Sequence, residues 1–143
     1  MSALQEIIDD FKQMSREEKL ETLMDYSENL PDLPERFHEA RDAGQNRLHE
    51  CQTPVHMWVE IENDNVRMFV DVPKESPTVR GFVSLLMEAF DGHSPQAVVD
   101  CPNTLLNSLG LVQVLGMTRL NGLSWLIKRL KQEVTRACAE SES

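Results

Sequence analysis

The chain has 143 residues, with 14 Lys and Arg against 24 Asp and Glu for a formal charge of −10, and 41% of its residues are hydrophobic. This predicts one acidic globular domain over 1–143, long enough for a single core and too short for two comfortable ones. The charge argues against nucleic-acid binding, which needs a clustered Lys/Arg surface, and against docking on an anionic membrane face. No apolar run approaches the roughly 20 residues of a membrane helix. The N-terminal segment MSALQEIIDD has acids where a secretory leader is basic and then apolar, so a cytoplasmic protein is expected. Three widely spaced cysteines, at 51, 101 and 138, offer neither a disulfide framework nor a CxxC zinc or redox motif.

In chain order, Leu4, Ile7, Ile8 and Phe11 recur at helical spacing and predict a short amphipathic helix over 3–13. Ser15 and Glu18 form a capping box for a second helix over 16–28, with Leu20, Leu23 and Met24 inward. Pro31 and Pro34 stop it, because each lacks a backbone donor and pushes its predecessor out of helical geometry. Residues 35–44 read as a polar helical turn or an irregular excursion. From Thr53 to Val72 the pattern alternates around the break 62–65, the signal of a β-hairpin, with Val55, Met57, Val59 and Ile61 on one face of the first strand. Val66, Met68, Val70 and Val72 share a face of the second. Arg47, Leu48 and His49 supply a short third strand in this reading, which places Glu50, Cys51 and Gln52 in a connection at the sheet's end.

Beyond Pro77, a broad apolar stripe from Val79 to Phe90 predicts a helix ending at Asp91-Gly92. Ser94-Pro95 opens a short helix that Cys101-Pro102 ends, and Asn103 caps a further short segment leading to Leu109. Thr118 reads as the N-cap of the last helix, with Leu123, Leu126, Ile127, Leu130 and Val134 buried and 139–143 fraying. Helices first, then strands, then helices again give an α+β fold, with a small antiparallel sheet of about three strands packed against several helices.

Among residues able to carry chemistry, Cys51 comes first, because it lies between His49 and His56 in a predicted connection rather than inside an apolar element. A zinc site could draw on His49, Cys51, His56 and, more remotely, Cys101, but no second close Cys or His pair exists to close a tetrahedron. A cysteine hydrolase needs a base oriented by a third group; His49, His56 and His93 are available, but no nucleophile motif is present. No phosphate-cradling glycine loop occurs, so neither a cofactor nor a metal is expected. Cys101 and Cys138 read as structural, and His38 as a surface residue. Arg119 stands at a helix start, where the dipole disfavours a cation, so a specific partner is expected. An ion pair to an acid such as Glu75 outweighs direct substrate contact.

These residues form a set that resembles the SufE family of sulfur-acceptor proteins, CsdE-type members included, over nearly the whole chain. The resemblance is carried by Leu30-Pro31 with Leu33-Pro34 and by Arg47-Leu48-His49-Glu50-Cys51-Gln52-Thr53-Pro54-Val55, similar to the family's Val-x-Gly-Cys-Gln-Ser-x-Val. It continues in Pro77 to Phe82 and in Leu109-Gly110-Leu111, Thr118-Arg119 and Asn121-Gly122-Leu123. It implies a fold shared with IscU-type scaffolds and a persulfide carrier rather than a stand-alone enzyme. Cys51 would take sulfane sulfur from a PLP-dependent cysteine desulfurase of the SufS/CsdA type, stimulate that enzyme, and pass the sulfur to an iron–sulfur scaffold complex. Gln52, Arg119, Asn121, His49 and Glu75 are the supporting residues it implies. The chain departs from the family string at Glu50, where a glycine is usual, and at His56, where an aromatic is usual. A carboxylate beside a thiol raises its pKa and an imidazolium lowers it, so these departures oppose each other. A non-catalytic interaction module of the same fold and a metal- or cluster-binding scaffold are the alternatives. One cysteine in the matching region favours a carrier over a scaffold.

Overall fold

A computed structural model describes residues 2–49 and 52–142; Cys51 and Glu50, both singled out above, lie outside the described residues. Helix α1 (Ala3–Lys12) buries Leu4, Ile7, Ile8 and Phe11 and is capped by Ser2, whose hydroxyl accepts from Gln5 N–H at 3.1 Å. Helix α2 (Arg16–Glu28) starts with the expected capping box: Glu18 N–H donates to Ser15 Oγ at 3.2 Å, and Ser15 N–H to Glu18 Oε1 at 3.0 Å. Its inward row centres on Leu23, fully buried, while Leu20 and Met24 are half-buried against the core.

The stretch after the prolines is ordered. A 3-10 turn at Glu35–Phe37 leads into α3 (His38–Asp42), and it covers the outer face of the hairpin formed by β1 (His56–Glu62) and β2 (Asn65–Asp71). Phe37 packs on Trp58 and Phe69, which face each other across the strands, with ring centroids 4.9 and 5.0 Å away. Arg36 lies 4.1 Å over the Phe37 ring and grips Glu60 with two bonds, of 3.0 and 2.9 Å. His38, expected at the surface, is half-buried because its ring Nε2 bonds the Leu33 carbonyl at 2.8 Å.

The strands pair antiparallel from His56↔Asp71 to Glu62↔Asn65. Asn63 and Asp64 both have positive φ, 53° and 64°, the geometry of a two-residue turn whose twist matches that of the strands. Val55, Met57, Val59, Val66, Met68, Val70 and Val72 are buried on the core face; Ile61 is half-buried. The sheet of the described residues has two strands, not about three. Arg47 makes only an isolated bridge to His56, because Asn46 turns the chain into the left-handed region at φ 57°. Part of each sheet edge is nevertheless occupied. Leu48 N–H donates to Val55 O at 2.9 Å and Met57 N–H to Asn46 O at 3.1 Å along β1. Along β2, Val66 N–H donates to His93 O at 2.8 Å, Gly92 N–H to Val66 O at 2.7 Å, and Met68 N–H to Asp91 Oδ1 at 2.8 Å.

Helix α4 (Pro77–Phe90) buries Phe82, Val83, Leu85, Leu86, Ala89 and Phe90 and packs along α2 and α1. The crossing with α2 is close: a Cβ on Gly81 would stand 2.1 Å from the Leu23 carbonyl oxygen. Beside it, Arg80 donates to Ser27 O at 2.9 Å and to Val72 O at 2.6 Å, tying the ends of α2 and β2 to the start of α4. The Arg80-Gly81 pair is therefore a packing requirement of this crossing.

Helices α5 (Pro95–Val99) and α6 (Leu105–Ser108) are short. Asn103 does not cap α6, whose N-cap is Thr104; its Oδ1 accepts from Lys131 Nζ at 3.1 Å instead. Helix α7 (Met117–Glu142) buries Leu123, Leu126, Ile127, Leu130 and Val134 as expected. It begins one residue before the expected cap: Leu120 N–H donates to Gly116 O at 3.0 Å, so Thr118 lies in the first turn. It also continues to Glu142 rather than fraying from Ala139. Arg136 bonds both Glu133, at 2.6 Å, and Glu140, at 2.7 Å, and these one-turn pairs support the tail. None of the helices of the described residues is long and apolar enough to cross a membrane.

Candidate functional site

Three chain segments meet beside the connection that carries Cys51 in sequence. Gln52 and Thr53 come from the end of that connection, Val79 from the first turn of α4, and Thr118, Arg119, Asn121, Gly122 and Trp125 from the first turns of α7; together they line an open cavity of about 280 Å³. The segments are cross-tied. Thr53 Oγ1 donates to Ser76 Oγ, just ahead of α4, at 3.3 Å, and Arg119 Nη1 donates to Thr78 Oγ1 at 3.4 Å. Arg119 is the one charged residue in the described lining, and no carboxylate shares it. In a chain of net charge −10 that is a local inversion of sign, suited to a thiolate, persulfide or carboxylate.

Gln52, Arg119 and Asn121 are thus brought together in one cavity. His49 is exposed, two residues before Cys51. Glu75 lies elsewhere, in a second cavity with Asp32, Lys74 and Arg80. The expected Arg119–Glu75 ion pair is absent among the described residues, and the partner is the Thr78 hydroxyl. An exposed arginine gains little from a surface ion pair and keeps its remaining donors for other contacts.

His56 is 7% exposed and sits in β1, where its Nδ1 bonds the Gln45 carbonyl at 2.9 Å and its ring stacks on Trp58 at 6.2 Å. It takes the place of the usual aromatic as a flat ring and adds a backbone bond. Cys101 is buried, and burial pushes its thiol pKa up, with the nearby Lys131 opposing; a neutral thiol is inert. Cys138 is half-buried on α7. Among the described residues no group of three or more His, Cys, Asp or Glu could hold a metal ion.

The sequence reading missed Thr78, Val79 and Trp125. The signal for Trp125 was present in the helical period: Met117, Asn121 and Trp125 stand at four-residue steps on one face of α7. That face has an apolar rim, with Met117 71% and Trp125 41% exposed and Lys128 Nζ 4.6 Å from the Trp125 ring centroid.

Comparisons with known proteins agree along the chain. A solution structure of a hypothetical protein from Thermus thermophilus is similar with a TM-score of 0.83 and 32% sequence identity, covering 97% of this chain and 99% of that one. An uncharacterised SufE-like protein of Mycobacterium tuberculosis is 30% identical over 135 residues, 94% of this chain and 92% of that protein. One from Rhizobium meliloti is 27% identical over 138 residues, 93% and 95% of the two chains. The model of the SufE Fe-S metabolism associated domain matches residues 5–134, and the chain therefore belongs to the SufE family.

Proposed function

We propose that the protein is a persulfide carrier: Cys51 accepts sulfane sulfur from a PLP-dependent cysteine desulfurase, stimulates that enzyme by removing its product, and delivers the sulfur to an iron–sulfur scaffold. The observation that carries this reading is the cavity of Gln52, Asn121 and Arg119, free of carboxylates in its described lining, directly after Cys51 in a chain of the SufE family. The Cys51 thiolate attacks the outer sulfur of the donor's persulfide. A new S–S bond forms as the old one breaks, and its electron pair leaves on the donor cysteine as thiolate. No external oxidant or reductant enters, so the carrier needs no redox group or cofactor of its own. Its tasks are to position the thiolate, to admit the donor, and to hold an anionic sulfur near Arg119. His49 and Glu75 adjoin this arrangement in sequence only, His49 two residues ahead of Cys51 and Glu75 next to Ser76, which accepts from Thr53.

The test is direct. The protein is incubated with a cysteine desulfurase and cysteine, and its intact mass is followed. Gain of one sulfur by the wild type, by Cys101→Ser and by Cys138→Ser, with none by Cys51→Ser, is the expected result. Sulfur retained by Cys51→Ser refutes the assignment.

A further inference from the structure

In sequence, Cys51 stands between Leu48 and Val55, both fully buried. A connection that presents a nucleophile is only as well aimed as its stems, and these stems are held by more than a strand ladder. Leu48 N–H bonds Val55 O at 2.9 Å, and Val55 N–H bonds Thr53 O at 2.8 Å. One step outward, Asn46 is in the left-handed region at φ 57°, which lets a single residue face Met57 twice. Its carbonyl accepts from Met57 N–H at 3.1 Å, and its side-chain Nδ2 donates to Met57 O at 3.0 Å. Next to it, the buried His56 ring bonds Gln45 O at 2.9 Å. An ordinary third strand would provide backbone bonds alone and could slip by two residues. The two side chains give this pairing a single register.

We propose that Asn46 and His56 are positioning residues: they lock the two stems of the Cys51 connection in one register and so set where the thiol is presented. The inference rests on the carrier reading for its consequence in transfer, while its structural part stands independently. It also gives the His56 departure a role, since an aromatic ring there would keep the stacking on Trp58 and lose the bond to Gln45. An αL position accepts Asn or Gly with little strain and other side chains poorly. Asn46→Gly therefore removes the side-chain bond while keeping the backbone conformation, and His56→Phe removes its bond while keeping the ring.

Full-length wild type, Asn46→Gly, His56→Phe and the double variant are compared by amide hydrogen exchange at Leu48 and Met57 and by the rate at which iodoacetamide alkylates Cys51. The carrier reaction is followed in parallel. Each single variant is expected to speed Met57 exchange about fivefold, the effect of one hydrogen bond, with exchange in α4 and α7 unchanged. The Cys51 alkylation rate is expected to move with it. In sulfur loading, kcat is expected to fall with KM for the donor unchanged, the signature of lost alignment rather than lost docking. Exchange at both amides and Cys51 alkylation within twofold of wild type in both single variants would overturn the clamp. So would a uniform rise in exchange across α4 and α7, which marks general destabilisation. If the wild type gains no sulfur, the carrier reading fails, and the exchange and alkylation arms still decide the clamp.

Discussion

Replacing Gly81 by alanine tests how the fold builds the site. The added Cβ would lie 2.1 Å from the Leu23 carbonyl oxygen, a backbone atom that cannot rotate away, and contacts of this kind need at least 3.0 Å. Helices α2 and α4 must therefore separate along their seam, and a gap of about 1 Å forfeits a quarter to a half of the dispersion energy of each facing contact. Overpacking of this sort costs about 3 kcal/mol, and the better helix propensity of alanine returns about 1 kcal/mol. The net loss is about 2 kcal/mol, or a fall in Tm of roughly 4–8 °C for a chain of this length. Urea denaturation followed by circular dichroism measures it as a lower midpoint at unchanged slope. Gly116→Ala is the control: no atom lies within 4 Å of the new Cβ and φ is not positive, so its stability should stay within about 0.5 kcal/mol of wild type. Because Thr78 and Val79 begin α4, Gly81→Ala should also slow sulfur loading. A Gly81→Ala protein as stable as wild type would refute the close crossing and the packing account of the Arg80-Gly81 pair.

Three further outcomes are expected. Arg119→Lys should lower kcat/KM for sulfur loading about tenfold through loss of the planar fork, with Tm nearly unchanged because the arginine is exposed and makes one long bond to Thr78; equal loading rates would remove Arg119 from the mechanism. In native protein near pH 8, Cys101 should alkylate far more slowly than Cys138, since burial holds its thiol neutral, and the two rates should converge in urea, as peptide mapping will report. The bonds from Ser15 N–H and then the Ser15 hydroxyl hold Glu18 below the usual carboxylate range. Their stabilisation is present above that range and is lost as pH falls through the lowered Glu18 pKa. Glu18→Gln should therefore be less stable than wild type at neutral pH, with the difference shrinking in acid, where Glu18 is neutral too; a difference independent of pH would contradict the charge-assisted half of the box.

Local signals with a single physical solution were legible in the sequence. The Ser15 and Glu18 box, the Asn63-Asp64 turn and the stripe of α4 each depend on neighbours within a few residues. Features that depend on distant partners were not. Arg47 and Leu48 have strand composition, yet Asn46 bends the chain so that only a bridge forms. Thr118 has the composition of a cap, but the helix gains two residues, Met117 and Thr118 itself. Arg119 was expected to find Glu75, and the approach of α4 to α7 supplies Thr78 instead. Within the candidate site, the three expected residues Gln52, Arg119 and Asn121 share one cavity, while Trp125 and Val79 join it only through the packing of separate helices.

The edges of the hairpin bear on behaviour at high concentration. A lone two-stranded sheet normally offers open donors and acceptors to any passing strand, the usual start of polymerisation. In this protein the outward amides of Val66 and Met68 are taken by His93 and Asp91, and the outward groups of Val55 and Met57 by Leu48 and Asn46. At these positions a visiting strand finds the ladder groups already taken, so strand addition there would first have to displace Asn46, Leu48, Asp91 or His93.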